Sequence, residues 1–466
     1  MNRHIAILLL FAASRGIAVA QYAADAFPLG AIIPRVTCLS DPKQSYALYL
    51  PSTFSVARKW PTIYVFDPFA RGDTAAEVVR AAAEKFGYIV VASNNSKNGP
   101  AGGSLEAAQA IWQDAHQRLP IDQGRQYFAG LSGGGRVATS LALTCGTCAA
   151  GVIANAAGFP TNAMPSAQMK FAYFATVGDA DFNYAEFAQL RPKLDTSGSQ
   201  YMIRTFEGPH GWAPAEVWLE ALEWMDLRAM AAGTLPRDPV RIQFVLDASM
   251  TRAKTFEATR DLLAAYREYQ AVVRNFRDLV SVTSAQAKLS ELEKHRDLRK
   301  AEKQEAEEID QQQRLEATPG AQMQELPTGE LDPMAFGELR SSIADLKRQA
   351  TKHDRDSLIE RRALSGLVVQ AYESGQDNME RKNYAVALNY FELAATGSAN
   401  PAWAHYQRAR IYAITSDKKS MLSELKKCIA AGVHDSSVLD AEEFQRYRDQ
   451  PDFKEIADEW KRKAVP

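Results

Sequence analysis

Three residue types that together make a nucleophile usable at neutral pH follow one another in this chain as serine, carboxylate and histidine, each at the end of an apolar run. Ser132 lies in Tyr127-Phe128-Ala129-Gly130-Leu131-Ser132-Gly133-Gly134-Gly135-Arg136-Val137-Ala138, where a strand-like stretch passes directly into a helical one. A serine raised on so sharp a turn needs neighbours without side chains, because the backbone is strained there and passes close to adjacent elements. Gly130 and Gly134 supply that clearance. The same turn aims the Gly133 N–H and the positive end of the following helix at whatever the serine attacks, where a negative oxygen would develop.

The acid and the base come later. Lys170-Phe171-Ala172-Tyr173-Phe174-Ala175-Thr176-Val177 reads as a buried strand ending in Gly178-Asp179-Ala180-Asp181. Asp181 is the favoured acid, since a loop needs a few residues beyond the strand end to turn back toward a histidine. Asp179 is the alternative, otherwise expected to brace that loop or cap the helix near Tyr184. Tyr201-Met202-Ile203-Arg204-Thr205-Phe206 then leads into Glu207-Gly208-Pro209-His210-Gly211-Trp212, which makes His210 the candidate base. In this arrangement His210 takes the Ser132 proton and returns it to the leaving group, while Asp181 fixes the tautomer and stabilises the imidazolium.

A second donor to the developing oxyanion is expected from Asp67-Pro68-Phe69-Ala70-Arg71-Gly72, the loop after the strand Pro61-Thr62-Ile63-Tyr64-Val65-Phe66. Pro68 has no N–H, so the amide of Phe69 or Ala70 is the candidate. Asp67 is read as a loop brace in preference to a substrate contact. The polar loop Asn94-Asn95-Ser96-Lys97-Asn98-Gly99-Pro100 either faces the serine or is a simple turn. Trp212 and Phe69 are each either an aromatic wall of the site or a structural ring.

These residues resemble the α/β-hydrolase superfamily over residues 45 to 230, and within it compact esterases similar to feruloyl esterases, poly(3-hydroxybutyrate) depolymerases and dienelactone hydrolases. The motifs that carry the resemblance are Gly130-x-Ser132-x-Gly134, Gly178-x-x-Asp181 and Gly208-x-His210. The resemblance implies a serine hydrolase with a covalent acyl-enzyme, no cofactor and no metal. Strand-like runs at Tyr46, Thr62, Tyr88, Tyr127, Val152, Phe171 and Tyr201 alternate with helical stretches from about Ala75, Leu105, Arg136, Ala185 and Ala215. Such alternation predicts a mostly parallel sheet covered by helices, with the chemistry at the carboxyl ends of the strands. The short stretch between Ala154 and Lys170 leaves little room for a cap, so an open site is expected.

Met1-Asn2-Arg3-His4, the apolar run Ile5 to Ala13 and Ala18-Val19-Ala20 read as a cleaved export signal over 1–20, and hence a secreted or periplasmic protein. Export permits disulfides, and Cys145 with Cys148 reads as a local or loop-clamping pair, with Cys38 a competing partner. No later apolar run is long enough to span a bilayer. A formal net charge of −2 gives no electrostatic footprint for nucleic acid.

Residues 21–235 are expected to form the catalytic domain, 236–317 a helical region with a strongly charged helix, 318–345 a Pro/Gly-containing linker, and 346–466 an all-α domain. In the last, Gly375, Tyr384, Ala387, Phe391 and Ala394 are matched thirty-four residues on by Ala409, Lys418, Met421, Leu425 and Cys428. The period resembles the tetratricopeptide repeat, whose helix pairs must stack to bury their core. The resemblance implies a surface for a protein partner, or for self-association.

Hydrolysis of a small-molecule or polymeric carboxylic ester is the leading expectation. A peptidase or amidase with the same triad is the second, and a binding or assembly protein with an inactive hydrolase domain the third.

Overall fold

The computed structural model describes residues 27–99, 101–326, 332–352, 357–433 and 435–463. The expected export signal lies outside the described residues. The chain divides into two compact units, Met1–Asp179 with Glu186–Gln304, and Ala180–Ala185 with Glu305–Pro466.

Among the described residues the first unit holds one eight-stranded sheet: β1 (Ile32–Thr37), β2 (Ser45–Tyr49), β3 (Trp60–Phe66), β4 (Ile89–Ser93), β5 (Ile121–Leu131), β6 (Gly151–Asn155), β7 (Ala172–Gly178) and β8 (Tyr201–Phe206). Their spatial order is β1-β2-β4-β3-β5-β6-β7-β8. β2 runs antiparallel to both its neighbours, and β4, β3, β5, β6, β7 and β8 are parallel. This is the α/β-hydrolase fold expected from the sequence. β3, β4, β6 and β7 are buried along their whole length, which is why they read as continuous apolar runs with no alternation.

Helices α1 (Gly72–Phe86), α2 (Ala101–Arg118), α3 (Gly133–Cys145), α4 (Tyr184–Ser197) and α5 (Ala215–Ala232) follow β3, β4, β5, β7 and β8, as expected. α1 packs with α5, and α2 meets α3. β1 has no counterpart among the apolar runs of the sequence. It is half exposed, carries Pro34 and shifts register between Ile33 and Val36, so it has the marks of an edge strand and no buried run. Cys145 and Cys148 form a disulfide, while Cys38 and Cys428 are buried free thiols.

The expected boundary at residue 235 is corrected by the packing. Helices α6 (Pro239–Ala258), α7 (Leu262–Phe276) and α8 (Thr283–Leu292) belong with the sheet, because Ile242, Leu246, Tyr269, Val272 and Phe276 share a core with Leu227 and Met230 of α5. A charged cluster fastens the same elements. Arg204 of β8 and Arg252 of α6 both pair with Glu220 of α5 and Glu268 of α7, at 2.5 to 2.9 Å.

The linker expected over 318–345 is also corrected. Helix α9 (Arg296–Glu325) continues through Pro319, and α10 (Pro333–Ala350) takes up soon after. A proline inside a helix removes one backbone hydrogen bond and crowds the preceding turn. Here the helix persists because Leu315, Met323 and Leu326 bury against Leu339, Ile343 and Leu346.

The second unit continues with α11 (Leu358–Glu380), α12 (Tyr384–Gly397), α13 (Ala402–Ile414), α14 (Lys418–Ala430), two short 3-10 turns and α15 (Pro451–Lys463). The thirty-four-residue correspondence is visible in the backbone. α12 and α14 begin thirty-four residues apart, α11 and α13 end thirty-four apart, and Lys382 and Ser416, in the turns between, both adopt positive φ, at 64° and 68°. Ala387, Phe391 and Ala394 are as buried as Met421, Leu425 and Cys428. Phe391 fills the space a side chain at Gly375 would need. The one mismatched pair, Tyr384 and Lys418, falls at the first residue of α12 and α14, where Lys418 pairs with Asp452 at 2.6 Å.

Candidate active site

Ser132 directly follows β5 and precedes α3 as its N-cap, with φ 52° and ψ −121°, a conformation that a residue with a side chain adopts only under constraint. The constraint comes from two sides. The Ser132 amide donates to the Asn155 carbonyl at 2.8 Å, and its own carbonyl accepts from the Arg136 amide at 3.1 Å. The two outer glycines act as the sequence implied. A Cβ on Gly130 would stand 2.3 Å from the Gly134 backbone, and one on Gly134 would stand 2.0 Å from the Phe66 carbonyl oxygen. Helix α3 therefore starts directly against the ends of β3 and β5. Gly133 lies in its first turn, where backbone N–H groups have no acceptor within the helix.

The parallel pairing of β5, β6, β7 and β8 brings the loops that follow them to one end of the sheet. Asp179, first after β7, accepts from the Gly208 amide at 2.9 Å and so braces the loop carrying His210, where the sequence led one to expect a brace within its own loop or a helix cap. Gly178 makes that closeness feasible: a Cβ there would lie 2.2 Å from the Gly208 carbonyl oxygen and 2.6 Å from that of Pro209. The histidine loop thus crosses directly over the end of β7. His210 is partly exposed, as is Ser132. Asp181 is fully buried and accepts from the Asn183 amide at 2.8 Å. It belongs to the segment Ala180–Ala185, which groups with the second unit.

Asp67, fully buried at the end of β3, is a brace, as expected. Its carboxylate accepts from the Phe69 amide at 2.8 Å, from Arg71 Nε and Nη2 at 3.0 and 2.9 Å, and from Trp212 Nε1 at 3.3 Å. Trp212 is a structural ring, tied to Asp67 and packed 6.0 Å from Trp218. Phe69 instead exposes 56% of its surface, with the Arg71 guanidinium 4.9 Å from its ring.

The expectation that Phe69 donates to an oxyanion meets a different geometry. Its N–H is turned back onto Asp67, and the Ala70 N–H, in a residue with φ 60°, points to the Asp67 carbonyl at 3.3 Å. An aspartate before a proline readily folds such a turn, because its carboxylate can accept the amide two residues on.

Sequence reasoning passed over Asn155, the last residue of β6. It is fully buried, its Oδ1 accepts from Thr176 Oγ1 at 3.0 Å and the Ala213 amide at 3.4 Å, and its Nδ2 donates to the Gly130 carbonyl at 3.4 Å. One side chain thus joins the strand before the serine, the end of β7 and the loop that leads into α5. A lone amide closing an apolar strand was the available signal. On the other side of the elbow, Arg136 binds Glu186 through two bonds of 2.9 Å and the Phe159 carbonyl through one of 2.6 Å. That clamp holds the stretch after β6, and no helix is formed between β6 and β7.

No family model and no curated protein matches the sequence. Among solved structures, the chain is similar to an S-formylglutathione hydrolase from Staphylococcus aureus, at 15% identity over 43% of this chain and 98% of that one, with a TM-score of 0.35. It is similar to a ferulic acid esterase at 18% identity over 41% and 95%, TM-score 0.33. The metagenomic carboxylesterase EstE1 is similar at 15% identity over 44% and 88%, TM-score 0.33. The architecture is defined by the strand order β1-β2-β4-β3-β5-β6-β7-β8.

Proposed function

We propose that this chain is a serine hydrolase that cleaves carboxylic esters through an acyl-enzyme. The observation that carries the proposal is the backbone of Ser132, held at positive φ between β5 and α3. Backbone strain of about 1–3 kcal/mol persists where surrounding structure over-determines it, and such sites cluster at functional centres.

In the proposed reaction His210 accepts the Ser132 proton as Oγ attacks the acyl carbon. The carbonyl oxygen becomes an anion facing the Gly133 amide and the positive end of α3. His210 then protonates the departing alcohol, water enters, and the same steps in reverse sense release the acid. Asp181 orients His210 in this scheme, and Asp179 and Gly178 place its loop. The short connection between β6 and β7 supports an open site suited to small or polymeric esters. The disulfide supports an exported, oxidising location. The repeated helix pairs support a tetratricopeptide-like unit that binds a protein partner or a second copy of the chain.

Labelling the purified protein with a fluorophosphonate, with the adduct located by mass spectrometry, tests the nucleophile. Modification at Ser132 that disappears in His210→Ala is the expected result, and an unlabelled but folded protein rejects the mechanism. Turnover of p-nitrophenyl acyl esters in preference to peptide anilides is expected; the opposite preference assigns the chain to peptidases or amidases.

A further inference from the structure

We propose that Asn98 is a catalytic residue that donates to the substrate carbonyl oxygen as it becomes an anion, supplying the second donor beside Gly133. The inference rests on the serine-hydrolase reading above. Of the loop expected to provide this donor, Pro68 has no N–H, and the amides of Phe69 and Ala70 both point at Asp67. The loop after β4 lies across it. The Asn98 amide donates to the Pro68 carbonyl at 2.8 Å, and Phe69 bridges Lys97 in antiparallel fashion.

The side chain of Asn98 reaches the elbow. A Cβ on Gly133 would stand 1.9 Å from Asn98 Oδ1 and 3.4 Å from Nδ2. The glycines around Ser132 therefore answer to different neighbours: Gly130 and Gly134 make room for backbone, and Gly133 makes room for this carboxamide. It sits against the residue whose amide is the first oxyanion donor, and a half-turn about its last torsion exchanges acceptor for donor.

Its support is rigid. Ser93 Oγ accepts from the amides of Asn95 and Ser96 at 3.2 and 3.0 Å, and Ser104 Oγ donates to the Lys97 carbonyl at 3.0 Å. The loop is therefore in place before the reaction, and the half-turn of the carboxamide is the rearrangement that donation requires.

The test measures steady-state hydrolysis of p-nitrophenyl acetate, fluorophosphonate labelling and inhibition by a trifluoromethyl ketone, in the wild type, Asn98→Ala and Asn98→Asp. The expected result for Asn98→Ala is a fall in kcat of about 10²–10³-fold with KM nearly unchanged, since removing one oxyanion donor costs about that much. Affinity for the ketone should fall by the same factor as kcat/KM, because the ketone mimics the tetrahedral species. Asn98→Asp should be slower still: it keeps the shape, loses the donor and repels the anion. Equal kcat in Asn98→Ala and wild type, or a loss confined to KM, overturns the assignment while leaving the Ser132 mechanism in place. A wild type that neither labels at Ser132 nor hydrolyses any ester removes the parent reading and this inference together.

Discussion

Ser132 pays for its position with a backbone conformation that glycine would adopt freely. Replacing it with glycine should therefore separate function from stability. Ser132→Gly is expected to lower turnover by roughly 10⁴-fold or more, since triad members act as a unit. It should also raise Tm by about 1–2 °C, since relief of about 1 kcal/mol moves a unit of this size less than it would a smaller domain. A calorimetric scan showing no rise would mean that no strain is held at the serine. The two aspartates after β7 make the second residue-scale case. Asp179 holds the Gly208 amide, whereas Asp181 is fully buried in the loop beyond. Asp181→Asn is expected to reduce kcat by about 10⁴-fold, because an amide stabilises the wrong tautomer. Asp179→Asn should cost far less, since its carboxamide oxygen still accepts from Gly208. The reverse ranking in kcat makes Asp179 the acid.

At the scale of elements, the site is assembled by close crossings that only glycine permits. The histidine loop passes over β7 at Gly178, where a Cβ would stand 2.2 Å from the Gly208 carbonyl oxygen. Gly178→Ala must push that loop outward, and displacement of a catalytic group by about 1 Å can cost about 10²-fold in rate. A fall of that order in kcat and in the rate of fluorophosphonate labelling, with circular dichroism intact, is expected; full activity in the variant shows that the loop is positioned by other contacts. The elbow itself was legible because its glycines are adjacent in sequence. Asn155 was not, since its partners Gly130, Thr176 and Ala213 come from two strands and a loop far apart in the chain.

At the scale of the whole molecule, the helical unit carries a buried ionic cluster of its own. In the helical unit, Glu424 of α14 is buried, which pushes its carboxyl up. The hydrogen bonds from His405 at 2.7 Å and Lys427 at 2.9 Å, together with Arg408 at 3.4 Å, prevail and hold it at about 2. A carboxyl whose folded pKa lies below its unfolded value contributes stability above that unfolded value, near 4.5, and loses it as pH falls toward 2. The helical unit should thus weaken between about pH 4.5 and 2, and Glu424→Gln should flatten that dependence in acid titrations followed by circular dichroism. An unchanged acid profile would show that this cluster does not govern the transition.

The sequence by itself determined the sheet of parallel strands, the serine on its turn, the order of the candidate acid and base, and the period of the helix pairs. Each of these is written in residues close together in the chain, as apolar runs of fixed length, glycines flanking a serine, or a spacing of thirty-four. Only the tertiary structure decided that α6 to α8 join the sheet, that the Pro319 region stays helical, that the Phe69 amide turns to Asp67, and that Asn98 and Asn155 meet the elbow. Those outcomes depend on what a residue packs against after distant segments have met. Local pattern carries no term for the burial of Leu315 and Met323 or for the reach of one asparagine across a neighbouring loop.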